Sequence, residues 1–448
     1  MPKSALCCAL ALAAAAPLGA QAPLTLADAF RRADSAAYAN RIAGGDARAR
    51  SAQATAALQG ILPTVRAEAG WVRTNDPLGA FGFTLQQRGV SMASFDPANL
   101  NDPSAVTNWK GGLVAELPII NLDAWYGRAA AARSAAAAKA GTGWTRETTR
   151  VDVARAYFGA VLARDQVHTL EAASAAAQAH VRQAQSMVTN GVATRSDALL
   201  ASVQAGQVEA QLIGARGSAA VARERLAMLL GQPGDTAFTL PDSLPSADQV
   251  RGLAALPVDD SLPVRLDVTA ARLGAQAARR DVSRANAVYL PRINGVGRYD
   301  WNSPSRLFGG RRSYTVGVMA SWTPFAGASD LAGREAAQGR AEAAQALAEA
   351  AEAGAALEQA ATRIQLSVAL AQLGIAEVSV DQGIEAHRIV TRKYAGGLAT
   401  VAELLSAAAL ETQTRLGLAD ARYQAIVADA AARQAAGTDL MALTILEN

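Results

Sequence analysis

Cysteine is almost absent from this 448-residue chain. The only two, Cys7 and Cys8, lie ahead of most of an N-terminal apolar run. A lipid-bearing cysteine would follow that run, so no lipid anchor is read. With the N-terminal segment removed, neither disulfide nor thiol chemistry remains. There are three histidines, His168, His180 and His387, and none shares a metal-ligand spacing with Cys or Asp. They read as surface histidines on helices. No phosphate loop or nucleophile elbow is present, and Gly141-Thr142-Gly143 lacks the third glycine and preceding strand of a dinucleotide site. The expectation is a protein that is not an enzyme and uses no cofactor. Aromatics make up 5% of the chain, too few for a core of large side chains. Past the N-terminal segment, no stretch holds the roughly 18 uninterrupted apolar residues of a membrane helix. Nor does any basic run carry interleaved aromatics, which argues against nucleic acid. The 42 basic and 39 acidic residues are intermixed, as on solvated helix faces.

Alanine supplies much of the 51% hydrophobic share. It has the best helix propensity and lets helices approach closely, so long, thin, tightly packed helices are expected. Residues 1–20 read as a secretory signal: Lys3, an apolar run from Ala5 to Ala16, then small residues, with cleavage after Ala20 or alternatively Ala22. The mature chain thus leaves the cytoplasm. It is either periplasmic or held in an outer membrane as β-structure.

The sequence repeats itself. Gly191 to Leu199 reads GVATRSDAL and Gly397 to Leu405 reads GLATVAELL, an offset of 206 (397 − 191). The same offset links Pro118 to Pro324, so Pro and Gly stand 73 residues apart in both copies (191 − 118 and 397 − 324). A spacing kept to the residue marks internal duplication and one rigid segment between the two points. The first repeat covers 21–231 and the second 263–437. An irregular linker rich in Pro, Asp and Ser falls at 232–262, and a tail at 438–448.

Within each repeat the order is helix, two strands, long helix, turn, return helix. The first helix runs from Leu24 to about Gln59 and stops at Leu62-Pro63. Val65, Ala67, Ala69 and Trp71 then alternate with polar or small residues, as do Trp109 to Leu117, Ile293 to Trp301 and Tyr314 to Trp322. Residues 75–108 read as loop. Long helices are expected from Asp123 to about Thr189 and from Ala326 to about Ala395, roughly 65 residues or about 100 Å each. The return helices are Thr194 to Leu230 and Thr400 to Gln434. Stacked end to end, two short helices would match one long one. Strands of about ten residues with aromatic ends are the length that spans a bilayer. Four strands cannot close a barrel and open edges are not tolerated in lipid, so three chains would share twelve strands.

At each turn, Thr194 or Thr400 precedes a helix and Asp197 or Glu403 follows three residues on. That is a capping-box spacing, with each cap contributing about 1 kcal/mol. Gly191 and Gly397 suit the left-handed end of the preceding helix. Each motif builds a tight tip, which either merely reverses the chain or docks a helical partner through exposed Val192, Ala193, Leu398 and Ala399. Arg182 and Arg388 stand nine residues before each Gly. They either ring a pore mouth with positive charge or pair with Asp381 and Glu385.

The order of Leu62-Pro63, Leu117-Pro118, Asn190 to Leu199, Leu290-Pro291, Trp322 to Phe325 and Gly396 to Leu405 resembles the TolC-like outer membrane factors, the outer membrane efflux protein family. The resemblance covers about residues 24–437. It implies a mainly α fold: a homotrimer with a 12-stranded β-barrel in outer-membrane lipid, continued by a coiled-coil α-barrel through the periplasm of a Gram-negative cell. It implies a periplasmic adaptor at the tips, Asn190, Gly191, Val192, Ala193 and Thr194 with Gly396, Gly397, Leu398, Ala399 and Thr400. It also implies an inner-membrane transporter of resistance-nodulation-division or ATP-binding cassette type. The chain departs from the pattern where Met187, Val188 and Thr189 replace aromatic and basic residues before the first tip. The second tip keeps Arg392, Lys393 and Tyr394. The family's acidic periplasmic constriction is not carried over, because Arg182 and Arg388 stand at that height. The rival reading is a periplasmic structural coiled-coil protein without channel activity, which leaves the four alternating strands unexplained.

Overall fold

A computed structural model of the chain describes residues 23–254 and 265–447. The signal segment and part of the linker lie outside the described residues. The elements are α1 (Leu26–Ala36), α2 (Tyr38–Ala56), β1 (Thr64–Thr74), α3 (Pro77–Gln86), α4 (Pro97–Asn101), β2 (Val106–Ile120), α5 (Leu122–Thr189), α6 (Arg195–Leu229), α7 (Ala247–Ala254), α8 (Leu266–Ala287), β3 (Arg292–Ser303), β4 (Arg311–Ser321), α9 (Ser329–Ala395) and α10 (Val401–Ala436). The long helices hold 68 and 67 residues, close to the length read from the spacing.

The chain divides into two compact units. One is drawn from Met1–Arg41, Thr145–Pro263 and Leu357–Asn448, the other from Ile42–Trp144 and Val264–Ala356. Each unit takes residues from both repeats, and α5 and α9 contribute to both.

In the first unit the largest fully buried side chains include Phe30, Tyr157, Leu226, Leu373, Ile426 and Leu440. Two segments outside the repeats, the irregular linker and the tail, join this core. The linker contributes Leu240 and Leu244, plus Val250 and Leu253 on α7, and the C-terminal residues form a 3₁₀ helix (Leu440–Glu447) that buries Leu440 and Leu443. Arginines tie the linker's carbonyls down. Arg164 donates to Leu240 O at 2.7 Å, Arg223 to Thr236 O and Phe238 O at 2.6 and 2.7 Å, and Arg433 to Leu253 O at 2.8 Å. Bonds to a charged donor satisfy backbone groups that no helix or sheet reaches.

The first helix is broken where one helix is expected. Ala37 has ψ near 134°, outside the helical region. Buried Asn40 holds the break: its Nδ2 donates to Ala33 O at 3.1 Å and its Oδ1 accepts from Thr149 at 3.1 Å. The expected loop at 75–108 also contains helices, because Asp76-Pro77 and Asp96-Pro97 each place a capping carboxylate before a proline in the first turn. β2 runs two residues beyond Pro118 through a register shift between Pro118 and Ile120, where the missing N–H interrupts the ladder. Helix α9 also contains one window of mean hydropathy 1.2, long and apolar enough to cross a membrane, which a search for uninterrupted apolar runs passes over. Its Ala369 and Leu373 are buried in the helical core.

In the second unit the strands form one antiparallel sheet in the order β1-β2-β3-β4, so β1 and β4 are open edges. The register sets the faces. Trp71 pairs with Trp109, Ala67 with Leu113, Leu113 with Tyr299 and Tyr299 with Tyr314, all on one apolar face. Glu68, Gly112 and Asp300 line up on the other. There Arg298 donates to Asp300 at 2.7 Å and to Glu68 at 3.2 Å, an ion cluster spanning β1 to β3. Gly112 leaves room for it, since a Cβ there would meet Asp300 Oδ1 at 2.7 Å. The polar face is also the more shielded: Val114 and Asn302 are buried while Leu113 and Leu117 are exposed.

Candidate functional site

Both tips close by the same backbone chemistry. In the first, Val192 N–H donates to Met187 O at 2.9 Å and Gly191 N–H to Val188 O at 3.0 Å. In the second, Leu398 N–H donates to Lys393 O at 2.8 Å and Gly397 N–H to Tyr394 O at 3.0 Å. This is the Schellman pattern, and it needs a left-handed residue between the bonds. Gly191 and Gly397 both sit at φ +74°. A Cβ on either glycine would meet nothing within 4 Å, so the demand for glycine comes from the backbone and not from crowding.

Each return helix then starts with a complete capping box. Thr194 Oγ1 accepts from Asp197 N–H at 3.3 Å while Asp197 accepts from Thr194 N–H at 2.9 Å. Thr400 and Glu403 repeat this at 3.2 and 2.7 Å. The backbone N–H of Thr194 and then its hydroxyl hold the Asp197 carboxyl below its usual range. Thr400 does the same to Glu403.

The fold brings the two tips onto one apolar cluster. Ala184 and Ala201 from the first tip pack with Tyr394, Val401, Leu404 and Leu405 from the second. Leu404 is fully buried, and the Tyr394 ring is almost so. Burial, then the charge of Asp197 in the other tip, pushes the Tyr394 hydroxyl up. Val192 and Leu398 are left exposed, at 66% and 82%. Asn190, Gly191, Gly396 and Gly397 are exposed too. Ala193 and Ala399 are half-buried, against expectation, and Ala399 packs on the shared cluster.

Of the pore-mouth candidates, Arg388 pairs with Glu385 one turn earlier, its Nε 2.6 Å from Oε2. Asp381 and Arg182 are exposed, and no ion pair forms at either among the described residues. The expectation of surface histidines fails for His180. It is buried, with its ring 5.7 Å from that of half-buried His387. His387 Nδ1 lies 2.6 Å from Glu411 Oε2, and the Nε2 atoms of both rings are buried without a hydrogen-bond partner. The two residues stand one position beyond the repeat offset of 206 (387 − 180 = 207), so the duplication itself did not reveal the pair. Tyr394 was visible as a residue kept before the second tip, but its place in a cluster common to both was not.

The sheet's apolar face carries aromatics at both ends. Trp71, Trp109, Tyr299, Trp301 and Tyr314 gather near the hairpin ends, with Trp71 and Trp109 centroids 6.4 Å apart. Trp322 marks the helix-side end, its Nε1 donating to Tyr289 O at 3.0 Å. From Tyr314 to Trp322 is about 27 Å of extended strand, of the order of the roughly 25 Å apolar band of outer-membrane barrels.

A sheet with one apolar, aromatic-ended face and one polar face, joined in the same chain to two capped helical hairpins, is the build of an outer-membrane channel subunit. A model of the outer membrane efflux protein family matches residues 41–232 and 258–438. The chain belongs to that family, and it is an outer-membrane protein that extends into the periplasm. The alkaline protease secretion protein AprF of Pseudomonas aeruginosa is 28% identical over 197 residues, a match spanning 42% of this chain and 40% of that protein. The outer membrane protein VceC of Vibrio cholerae superposes with a TM-score of 0.77 at 23% identity, covering 92% of this chain and 96% of that one. The CmeC outer membrane channel of Campylobacter jejuni gives a TM-score of 0.78 at 14% identity, covering 92% and 85%. At these identities the two structures attest the fold.

Proposed function

We propose that three copies of this chain form a passive exit duct. The observation that carries the reading is the four-stranded sheet, with its two faces and two open edges. In lipid an unpaired edge is not tolerated, so β1 of one copy pairs with β4 of the next, and three copies close a twelve-stranded barrel. The apolar face then meets lipid. The polar face, with Glu68, Arg298 and Asp300, lines a water-filled lumen. Energy for transport comes from an inner-membrane transporter of resistance-nodulation-division or ATP-binding cassette type. A periplasmic adaptor couples the two by docking at Val192 and Leu398. AprF is named for secretion of a protease and the family for efflux, and both uses suit a duct.

The test is electron microscopy of protein extracted from outer membranes, together with conductance in planar lipid bilayers. Threefold hollow particles that conduct are expected. Solid or monomeric particles that do not conduct would overturn the duct in favour of a structural coiled coil.

A further inference from the structure

The two strand hairpins close very differently. β3 joins β4 through residues 304–310, whereas β1 joins β2 through residues 75–105. The longer connection is a folded element with its own packing. Ala80 on α3 is 1% exposed, and Phe81 meets Phe95 edge-on at 5.9 Å. Asp76 caps α3 by accepting from Gly79 N–H at 2.7 Å. The helix closes by the same Schellman pattern as the tips, Gly89 N–H donating to Thr84 O and Arg88 N–H to Leu85 O at 2.9 Å each, with Arg88 as the left-handed residue at φ +55°.

The side chains at this helix end are seated on the sheet's polar face. Gln87 Nε2 donates to Thr107 O at 2.8 Å and to Asn108 Oδ1 at 3.0 Å. Asn108 Nδ2 donates in turn to Asn302 Oδ1 at 2.7 Å, and both asparagines are buried. Asn108 and Asn302 share the face of Lys110, Gly112 and Asp300 by the alternation of β2 and β3. Arg88 reaches on to within 3.5 Å of Arg312 O on β4. The end of α3 is therefore fastened across three strands, on the side away from the aromatic face.

We propose that residues 75–105 are a size filter at the outer mouth of the duct, seated by the Gln87–Asn108–Asn302 chain. The proposal rests on the duct reading, in which the polar face lines the lumen. A connection fastened to that face stands in the path of the solute, and three copies narrow the opening from three sides. A loop meant only to contact the exterior has no need of a buried amide chain on the lumen face. Gln87, Asn108 and Asn302 are positioning residues, and the bulk of α3 and the Phe81–Phe95 pair does the excluding. Pore diameter then sets which solutes pass.

The test uses the full-length protein in planar bilayers, with polyethylene glycols of graded mass as size probes. Removal of residues 77–104, bridged by two glycines, is expected to raise conductance at least about twofold and admit larger polymers, because lumen width governs both. Gln87→Ala leaves the strands and the loop core in place and should give a smaller rise with more frequent switching between conductance levels. If both variants conduct and exclude polymers as the wild type does, the connection lies outside the path and the filter is overturned while the duct stands. A wild-type protein that does not conduct overturns the duct, and the filter with it.

Discussion

The two helical tips and the two strand hairpin ends come from the same duplication, yet they have diverged to different degrees. The tips share the bonds that close and cap them: two Schellman bonds about a glycine at φ +74° and a reciprocal capping box. The hairpin ends share neither length nor structure, one a short turn and the other a folded element with two helices. The difference lies in what each end touches. Both tips pack on one apolar cluster, so a change in one shifts the other's partners. Strand register alone does not fix the length of a hairpin end, which leaves room for a folded element to be added in one copy and not in the other.

The comparison breaks most completely if a tip's backbone is refused. Proline cannot reach φ +74° and removes the N–H that closes the turn, a local cost above about 3 kcal/mol. Gly191→Pro and Gly397→Pro should each leave the protein in the outer membrane and abolish export of its cargo, measured by membrane fractionation beside an export assay. Full export by both variants would end the docking role of the tips.

Next in size is the coupling between tips. Leu404→Ala removes a fully buried side chain from the shared cluster and should cost about 2–5 kcal/mol. Hydrogen exchange should speed up at 190–194 as well as at 396–400, and leave 75–105 unchanged. Faster exchange in the second tip alone would mean that the tips are independent.

A smaller effect tests their equivalence. Thr194→Ala and Thr400→Ala each delete a helix cap worth about 1 kcal/mol. Denaturant melts of the two variants should shift alike, and a clear inequality would show that one tip carries more load.

The mildest prediction is a pH dependence confined to the helical unit. Burial, and then the charge of His387, keeps the His180 imidazole below its ordinary value near 6.5. The groups around the pair are Glu411, bonded to His387, and Arg415, paired with Glu411 at 2.7 Å. As pH falls through 6.5 the unfolded chain takes up a proton at this position before the folded chain does, so stability declines toward acid. Thermal unfolding should therefore drop between pH 7.5 and pH 5.5, and His180→Phe should flatten that slope. An unchanged slope would remove His180 as its source.

Much of the fold was legible because its determinants are local. Alternation in Val65 to Trp71 and Tyr314 to Trp322 marked strands, and the Thr194/Asp197 and Thr400/Glu403 spacings marked helix starts to the residue. The break at Ala37 was not legible, because alanine favours helix and the bend is held by Asn40 reaching Ala33 and Thr149. Leu240 and Leu253 lie in a linker of prolines and aspartates that reads as irregular, and Leu443 lies in the C-terminal tail. Their burial depends on α1, α5 and α10 converging on them.

By itself, then, the sequence determined the periods, the caps and the duplicated spacing. Each of these rests on contacts within about four residues or on counting along one rigid helix. Only the tertiary structure decided that Tyr394 and Ala184 share a cluster, that His180 meets His387, and that Gln87 is seated on the polar face beside Asn108 and Asn302. The first two join the two repeats, and the third also reaches across them at Asn302. Separations of that kind are closed by packing and strand register, which no local pattern records.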